Sequence, residues 1–227
     1  MKKIVVLTGA GMSAESGLKT FRDSDGLWEN HNVYDVATPE AWERDPEMVL
    51  KFYNERRKQV RDAKPNKAHV ALGKLEEKYD VHIITQNIDN LHERAGSTQV
   101  IHLHGEVNKA RSSIDSGLVY ELDHWEMKLG DLCEKGSQLR PHIVWFGESV
   151  PMIEKAIPIV EMADRLIVIG TSLAVYPAAG LLNYATSSSK KYYIDPKGFE
   201  GDNHYPFVII KETAGVGVPR LVDQLLQ

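Results

Sequence analysis

Short apolar runs, rich in β-branched residues, recur along the chain: Ile4–Leu7, Val81–Ile84, Val100–Leu103, Ile143–Trp145, Leu166–Ile169, Tyr192–Ile194 and Phe207–Ile210. Several are too uniformly apolar to leave one face in water, which indicates a parallel sheet covered on both sides. Helical patterns lie between them. Asn66 is placed to cap a helix whose Ala68, Ala71, Leu72 and Leu75 form a stripe at i, i+3, i+4 and i+7. Pro219 is placed to open a last helix presenting Leu221, Val222, Leu225 and Leu226. Strands alternating with helices predict an α/β fold, a Rossmann-like doubly wound and mainly parallel sheet.

Two segments break this rhythm. One holds a helical stretch from Pro46 to Asp62. The other is polar and charged, with a helix expected around Tyr120 to Leu132. We read both as a smaller insertion lobe within a single domain spanning 1–227. The main lobe then takes approximately 1–25, 64–107 and 139–227, and the small lobe 26–63 and 108–138. A cleft between them would lie at the carboxyl ends of the strands, where ligands bind in such sheets.

Length and charge narrow the function classes. A chain of 227 residues with net charge -5 carries no electrostatic footprint for nucleic acid. No apolar run reaches the ~20 residues of a membrane span. Met1-Lys2-Lys3 runs straight into the first strand, so no targeting peptide is expected. Cys133 is the single cysteine. It excludes an intramolecular disulfide and a multi-cysteine metal cage, and fits a reducing, cytoplasmic setting.

The candidate chemistry sits where strands end. Ile4–Thr8 leads into Gly9-Ala10-Gly11 and then into small, helix-forming residues from Ser13 to Gly17. A strand, a glycine turn and a helix start would let backbone N–H groups approach a phosphate. The third glycine of the G-x-G-x-x-G fingerprint is displaced to Gly17, so a tight turn without a ligand is the plain alternative. Thr85-Gln86-Asn87-Ile88-Asp89 can contact a ribose or hold an amide, or simply cap the next helix. His104, ahead of Gly105, is placed to act as a base near neutral pH, or is structural. Gly170-Thr171-Ser172 suits further phosphate or ribose contacts, or a helix cap. Val144-Trp145-Phe146-Gly147 offers aromatics and a strand edge to an extended peptide, or belongs to the core.

Together these segments resemble the sirtuin family of NAD-dependent protein lysine deacylases. GAGMSAESGLKTFR, TQNIDNLHERAG, HLHGE, RPHIVWFGE and IGTSL stand in family order and spacing over nearly the whole chain. The resemblance implies that NAD is consumed as a co-substrate. An acyl group would pass from a protein or peptide lysine to ADP-ribose, giving nicotinamide, O-acyl-ADP-ribose and free lysine. His104 would be the base, with Asn87 beside it in the catalytic set. NAD would be held by Gly9, Ala10, Gly11, Ser13, Ala14, Glu15, Phe21, Arg22, Trp28, Gln86, Asn87, Ile88 and Asp89. Gly170, Thr171, Ser172, Asp195 and Ala214 would complete its site. Asp195 stands where many relatives have asparagine, and so lacks the amide donor. Val144, Trp145 and Phe146 would hold the peptide. Protein mono-ADP-ribosyl transfer and a non-catalytic NAD-binding module remain as alternatives.

Two details refine the resemblance. Tyr53 and Arg56 lie three residues apart on one helix face, as in the sirtuin class acting on acidic acyl-lysines, where the arginine would fork onto a carboxylate. Arg57, at i+4 from Tyr53, is nearly as well placed by helical geometry alone. Most sirtuins also carry two Cys-x-x-Cys pairs holding a structural zinc. Here the corresponding segment has Ser112, Ser113, Ser116 and only Cys133, while Asp123, His124 and Glu126 match no zinc spacing. No zinc is expected.

Overall fold

The computed structural model of the protein describes residues 1–19, 31–199 and 206–227, with the backbone of Leu27 and Trp28. In chain order the elements are β1 (Lys3–Thr8), β2 (Leu27–Trp28), β3 (His31–Asn32), α1 (Val33–Val36), α2 (Pro39–Arg44), α3 (Pro46–Asp62), α4 (Lys67–Leu75) and β4 (Asp80–Thr85). There follow α5 (Leu91–Arg94), β5 (Val100–His102), β6 (Gly105–Ser112), β7 (Val119–Glu121), β8 (Leu139–Ile143), α6 (Ile153–Glu161), β9 (Arg165–Ile169), β10 (Lys190–Ile194), β11 (Phe207–Ile210) and α7 (Ala214–Leu226).

Six strands form one parallel sheet in the order β11-β10-β9-β1-β4-β5. Alternation along β1 shows why its sequence is uniformly apolar. Ile4 and Val6 pack with Leu72 and Leu75 of α4 and Leu221 of α7, whereas Val5 and Leu7 pack on the opposite face with Val160 of α6 and Leu181. The doubly wound expectation therefore holds. Asn66 caps α4 as expected: its side chain accepts the N–H groups of Ala68 and His69, and His69 reaches back to the Asn66 N–H.

A three-stranded antiparallel sheet, in the order β7-β6-β8, packs against α3. Three expectations fail here and elsewhere. Tyr120 to Leu132 is not a helix. Tyr120 lies in β7, and the backbone beyond it bonds outward: Met127 exchanges both of its backbone hydrogen bonds with the Asn54 side chain, and Leu122 donates to the Asn108 carbonyl. Ile143–Trp145 is not a strand of the main sheet, since β8 ends at Ile143 in the small one. Nor does Pro219 open the last helix. α7 starts at Ala214 and contains Pro219, because Glu15 holds its first turn from outside, accepting from the Gly215 N–H at 2.6 Å and the Thr213 hydroxyl at 3.2 Å.

Arg57 is fully buried at the centre of the lobe formed by α3 and the small sheet. Its guanidinium donates to the carbonyls of Val107 and Trp125 and to Asn54 Oδ1, each at 2.7 Å. Burial lowers its pKa to about 10, with Arg61 adding repulsion, so it is still a cation at neutral pH. Asn54 Oδ1 also accepts the Met127 N–H, but the Val107 and Trp125 carbonyls would lose the Arg57 donors, and a buried acceptor left unmatched costs about 1–3 kcal/mol. Arg57→Leu is therefore expected to destabilise the protein by at least about 2 kcal/mol in urea unfolding. Arg61→Ala, which removes one exposed bond to the Asp123 carbonyl, is expected to change it by no more than about 0.5 kcal/mol.

Candidate active site

β1, β4 and β9 end level, with Thr8 beside Thr85 on one side and Ile169 on the other. The chain builds outward from β1 in both directions, so the loops following these strands diverge at a switch point where a crevice must open. A cavity of about 490 Å³ lies there, within the range of small-molecule sites. Its wall contains Gly9, Ala10, Gly11, Ser13, Ala14, Glu15, Gln86, Asn87, Ile88, Asp89, His104, Gly170, Thr171, Ser172, Asp195 and Ala214, and also Tyr53, Arg56, Val144, Trp145 and Phe146. Phe21, Arg22 and the side chain of Trp28 lie outside the described residues.

The glycines serve a purpose that the phosphate-turn reading did not include. Ser13 to Gly17 does not begin an α-helix; two short 3-10 turns, Ala10–Met12 and Ala14–Ser16, take its place. The Gly9 and Gly11 N–H groups donate to the Ile169 and Gly170 carbonyls, at 3.0 and 2.9 Å. A Cβ on Gly11 would lie 2.7 Å from Gly170 Cα, and one on Gly9 would lie 2.6 Å from Thr171 Cβ. Gly170 itself has a φ of +59°, and a Cβ there would lie 2.5 Å from the Met12 nitrogen. These glycines let two loops touch backbone to backbone, which sets the floor of the cavity.

The Gln86–Asp89 loop is held from several sides. Asn87 donates its amide to the Gly9 carbonyl at 3.1 Å and to Ser13 Oγ at 3.2 Å. Ser13 in turn donates to Asp89 Oδ2 at 2.9 Å, and Asp89 Oδ1 accepts from the Leu91 N–H. Burial raises the Asp89 carboxyl above its ordinary range, opposed by those two donors. Gln86 donates to Thr171 Oγ1 at 3.1 Å, joining the loops after β4 and β9. His104 places Nδ1 3.0 Å from the Gln86 carbonyl. A carbonyl only accepts, so Nδ1 carries the hydrogen and Nε2 offers a lone pair. Burial lowers the His104 pKa, with the Gln86 bond opposing, which favours the neutral ring.

At another wall α3 separates two adjacent arginines. Arg57 points into the small lobe, whereas Arg56 lines the cavity with Tyr53. Arg56 is 7% exposed, stacks over the Phe52 ring at 5.1 Å, and is lowered by burial to a pKa of about 10. The Tyr53 hydroxyl accepts from Trp145 Nε1 at 3.1 Å, and burial raises its pKa. Trp145 is clamped in its turn. Its N–H donates to Glu148 Oε2, and Arg140 both pairs with Glu148 at 2.8 Å and covers the indole at 3.3 Å. The N–H groups of Val144 and Phe146 donate to the His104 and Ala37 carbonyls. An extended peptide beside residues 144–146 thus meets carbonyls rather than N–H groups, which narrows the strand-edge idea.

Asp195 is buried, and its Oδ1 accepts from the Lys197 N–H. Ala214 opens α7 at the same end, where Glu15 anchors the helix. Sequence reasoning did not single out Arg140, Gln59 or Val60, and gave Glu148 no role of its own. Gln59 and Val60 follow Arg56 at i+3 and i+4 on the same face of α3, and that periodicity was the available signal. Glu148 closes the WFGE segment, but nothing local shows that its carboxylate folds back onto Trp145.

Among the described residues no group of three or more His, Cys, Asp and Glu side chains is placed to hold a metal. Cys133, Ser112 and Ser137 instead bond to one another, with the two hydroxyls 2.8 Å apart and Cys133 Sγ 3.2 Å from Ser137. One thiol and two hydroxyls are not a zinc donor set. Nor is any helix among them long and apolar enough to cross a membrane.

Comparison with known proteins agrees with this geometry. A sequence profile of the Sir2 family matches residues 9–177. A Helicobacter pylori protein named NAD-dependent protein deacylase is 52% identical, over 100% of this chain and 99% of its own length. The crystal structure of a Sir2 homologue–NAD complex superposes with a TM-score of 0.89 at 40% identity, covering 99% of this chain and 90% of the other. A complex described as Sir2–p53 peptide–NAD+ superposes at 0.80 with 34% identity, covering 97% and 92%.

Proposed function

The chain belongs to the Sir2 family and is an NAD-dependent protein deacylase, and we propose that it removes both acetyl and acidic acyl groups, succinyl above all, from lysines of proteins or peptides. The supporting observation is the division of labour on α3. Arg57 is committed to the small lobe, while Arg56 and Tyr53 line the same cavity as His104. A guanidinium in a wall of low polarity favours a ligand carboxylate, which it can grip with two parallel bonds. An acetyl group offers no such partner.

NAD, whose dinucleotide would lie along Gly9–Glu15, Gln86–Asp89, Gly170–Ser172, Asp195 and Ala214, supplies an electrophilic ribose carbon and the ADP-ribose that accepts the acyl group. The glycine-built floor suits it, because Gly9, Gly11 and Gly170 let the two loops close on each other and leave the wall above them free of their side chains. The chain's own residues do the rest. His104 Nε2 takes a proton from a ribose hydroxyl, its orientation fixed by the Gln86 carbonyl. Asn87 keeps the Gly9 turn and the Gln86–Asp89 loop in register. Trp145 donates to the Tyr53 oxygen and so fixes the phenol against the cavity wall. Val144, Trp145 and Phe146 receive the peptide bearing the lysine; one water is consumed, and nicotinamide, O-acyl-ADP-ribose and free lysine are the products.

The small lobe in this reading needs no zinc, since the Ser112–Cys133–Ser137 bonds and Arg57 tie its strands together. Elemental analysis of chelator-washed, active protein should find well under one zinc per chain; a stoichiometric amount would refute the point.

Base catalysis by a positioned histidine is worth about 10²–10⁴-fold. His104→Ala should therefore lose at least about a hundredfold in turnover while still binding NAD in calorimetry. Because burial lowers the His104 pKa, the neutral base persists into mild acid. On its acid side the wild-type kcat/KM should then fall only below about pH 6.5, the ordinary histidine value. An acid limb centred above that value would contradict this environment.

Matched acetyl-lysine and succinyl-lysine peptides, followed by mass spectrometry with and without NAD, test the acyl preference. Removing one partner of a desolvated charge pair costs about 2–5 kcal/mol. Arg56→Met should thus lower desuccinylation by roughly thirtyfold or more and leave deacetylation within a fewfold. Equal losses on both peptides would remove the acidic-acyl reading while leaving the enzyme class intact.

A further inference from the structure

His102 stands two residues before His104, at the end of β5, and does not line the cavity. Its ring is 8% exposed and lies between two acceptors. Nδ1 is 3.0 Å from the Asn87 carbonyl, and Nε2 is 2.7 Å from Glu93 Oε1 on α5. Neither a carbonyl nor a carboxylate can donate, so each ring nitrogen must carry hydrogen and the ring is an imidazolium. His104, with one acceptor, needs only one hydrogen. Successive carbonyls of one loop, Gln86 and Asn87, are thus gripped by a neutral imidazole and a charged one.

We propose that His102, held as a cation by Glu93, is a positioning residue for the reaction: it fixes the Asn87 backbone, and thereby the Asn87 amide on the Gly9 turn and the Gln86 carbonyl on His104. The inference rests on His104 as the base. The groups facing His102 support a charged ring. Glu93 from α5 and Glu106 from β6 are negative; Asp89 lies in the loop it holds, and His92 of α5 is kept neutral by burial and by His69 and His102. Lys109 of β6 acts on Glu93. Burial opposes the charge on His102, but the Glu93 bond and the two carboxylates outweigh it and hold its pKa above the ordinary value.

Deprotonation would leave one hydrogen for two acceptors. The carboxylate is the stronger of the two, so the ring would keep Glu93 and release the Asn87 carbonyl. Activity therefore needs His104 neutral and His102 charged, which makes kcat/KM bell-shaped, with the acid limb from His104 and the alkaline limb from His102.

The test uses the full chain, NAD and an acetyl-lysine peptide, for which Arg56 is immaterial. Glu93→Gln removes the charge while keeping an acceptor. It should move the alkaline limb down by about one pH unit or more and leave the acid limb in place. His102→Gln, whose two N–H donors sit on a single nitrogen and so cannot span the Asn87 carbonyl and Glu93 as the two ring nitrogens do, should abolish that limb and lower kcat/KM about tenfold to a hundredfold, as misplaced groups do. NMR of ¹⁵N-histidine-labelled wild-type protein at pH 7 should show His102 protonated on both nitrogens and His104 on Nδ1 alone, whether or not the variants fold. A neutral His102 at pH 7, or an alkaline limb unmoved by Glu93→Gln, overturns the proposal. An acid limb that survives in His104→Ala would instead overturn the base assignment.

Discussion

No side chain can stand between the turn after β1 and the turn after β9, and the site depends on that exclusion. Gly9, Gly11 and Gly170 bring two backbones to within 3.0 Å N···O distances. With the turns locked, Gln86 can bridge to Thr171 and Asn87 can reach Gly9, so three strand-end loops become one rigid floor. The parallel sheet beneath supplies the level ends that make such a meeting possible.

Desolvation then sorts the histidines. His69 and His92, buried with ring centroids 4.8 Å apart and the rings tilted at 59°, are both pushed down by burial, His69 to about 4. His104 is also pushed down but opens onto the cavity. His102 alone of these four has a carboxylate within bonding distance, and so has its pKa raised. Buried polar groups are tolerable where each hydrogen finds an acceptor, and the number of acceptors around each ring decides its charge.

Helix α3 joins the packing of the small lobe to the wall of the cavity. One turn of it carries Tyr53, Asn54, Arg56 and Arg57, all buried. Asn54 and Arg57 hold the 123–127 turn and β6, while Tyr53 and Arg56 line the cavity. The small lobe's packing therefore fixes how the Tyr53–Arg56 wall of the cavity is presented. Trp145 links the same helix to the Glu148–Arg140 pair.

The chain's periodicity by itself determined the uniformly buried strands, the Asn66-capped α4 and the whole span of α3, because those features depend on neighbours within a few residues. The motif set determined the family and the candidate residues, since the chemistry of each strand-end cluster is local. What lies beyond reach of local pattern only the tertiary structure decided. Tyr120 to Leu132 has helical composition, but Leu122 and Met127 take their backbone partners from β6 and α3, 14 and 73 residues away. α7 begins ahead of Pro219 because Glu15, some 200 residues earlier, satisfies its first turn. Arg56 and Arg57, at i+3 and i+4 from Tyr53, are nearly equally placed by helical geometry; the carbonyls that β6 and the 123–127 turn bring to Arg57 make it structural, while Arg56 lines the cavity. The two histidines of HLHGE are likewise identical as letters, and their different charges follow from one carboxylate that the fold brings to one ring and not to the other.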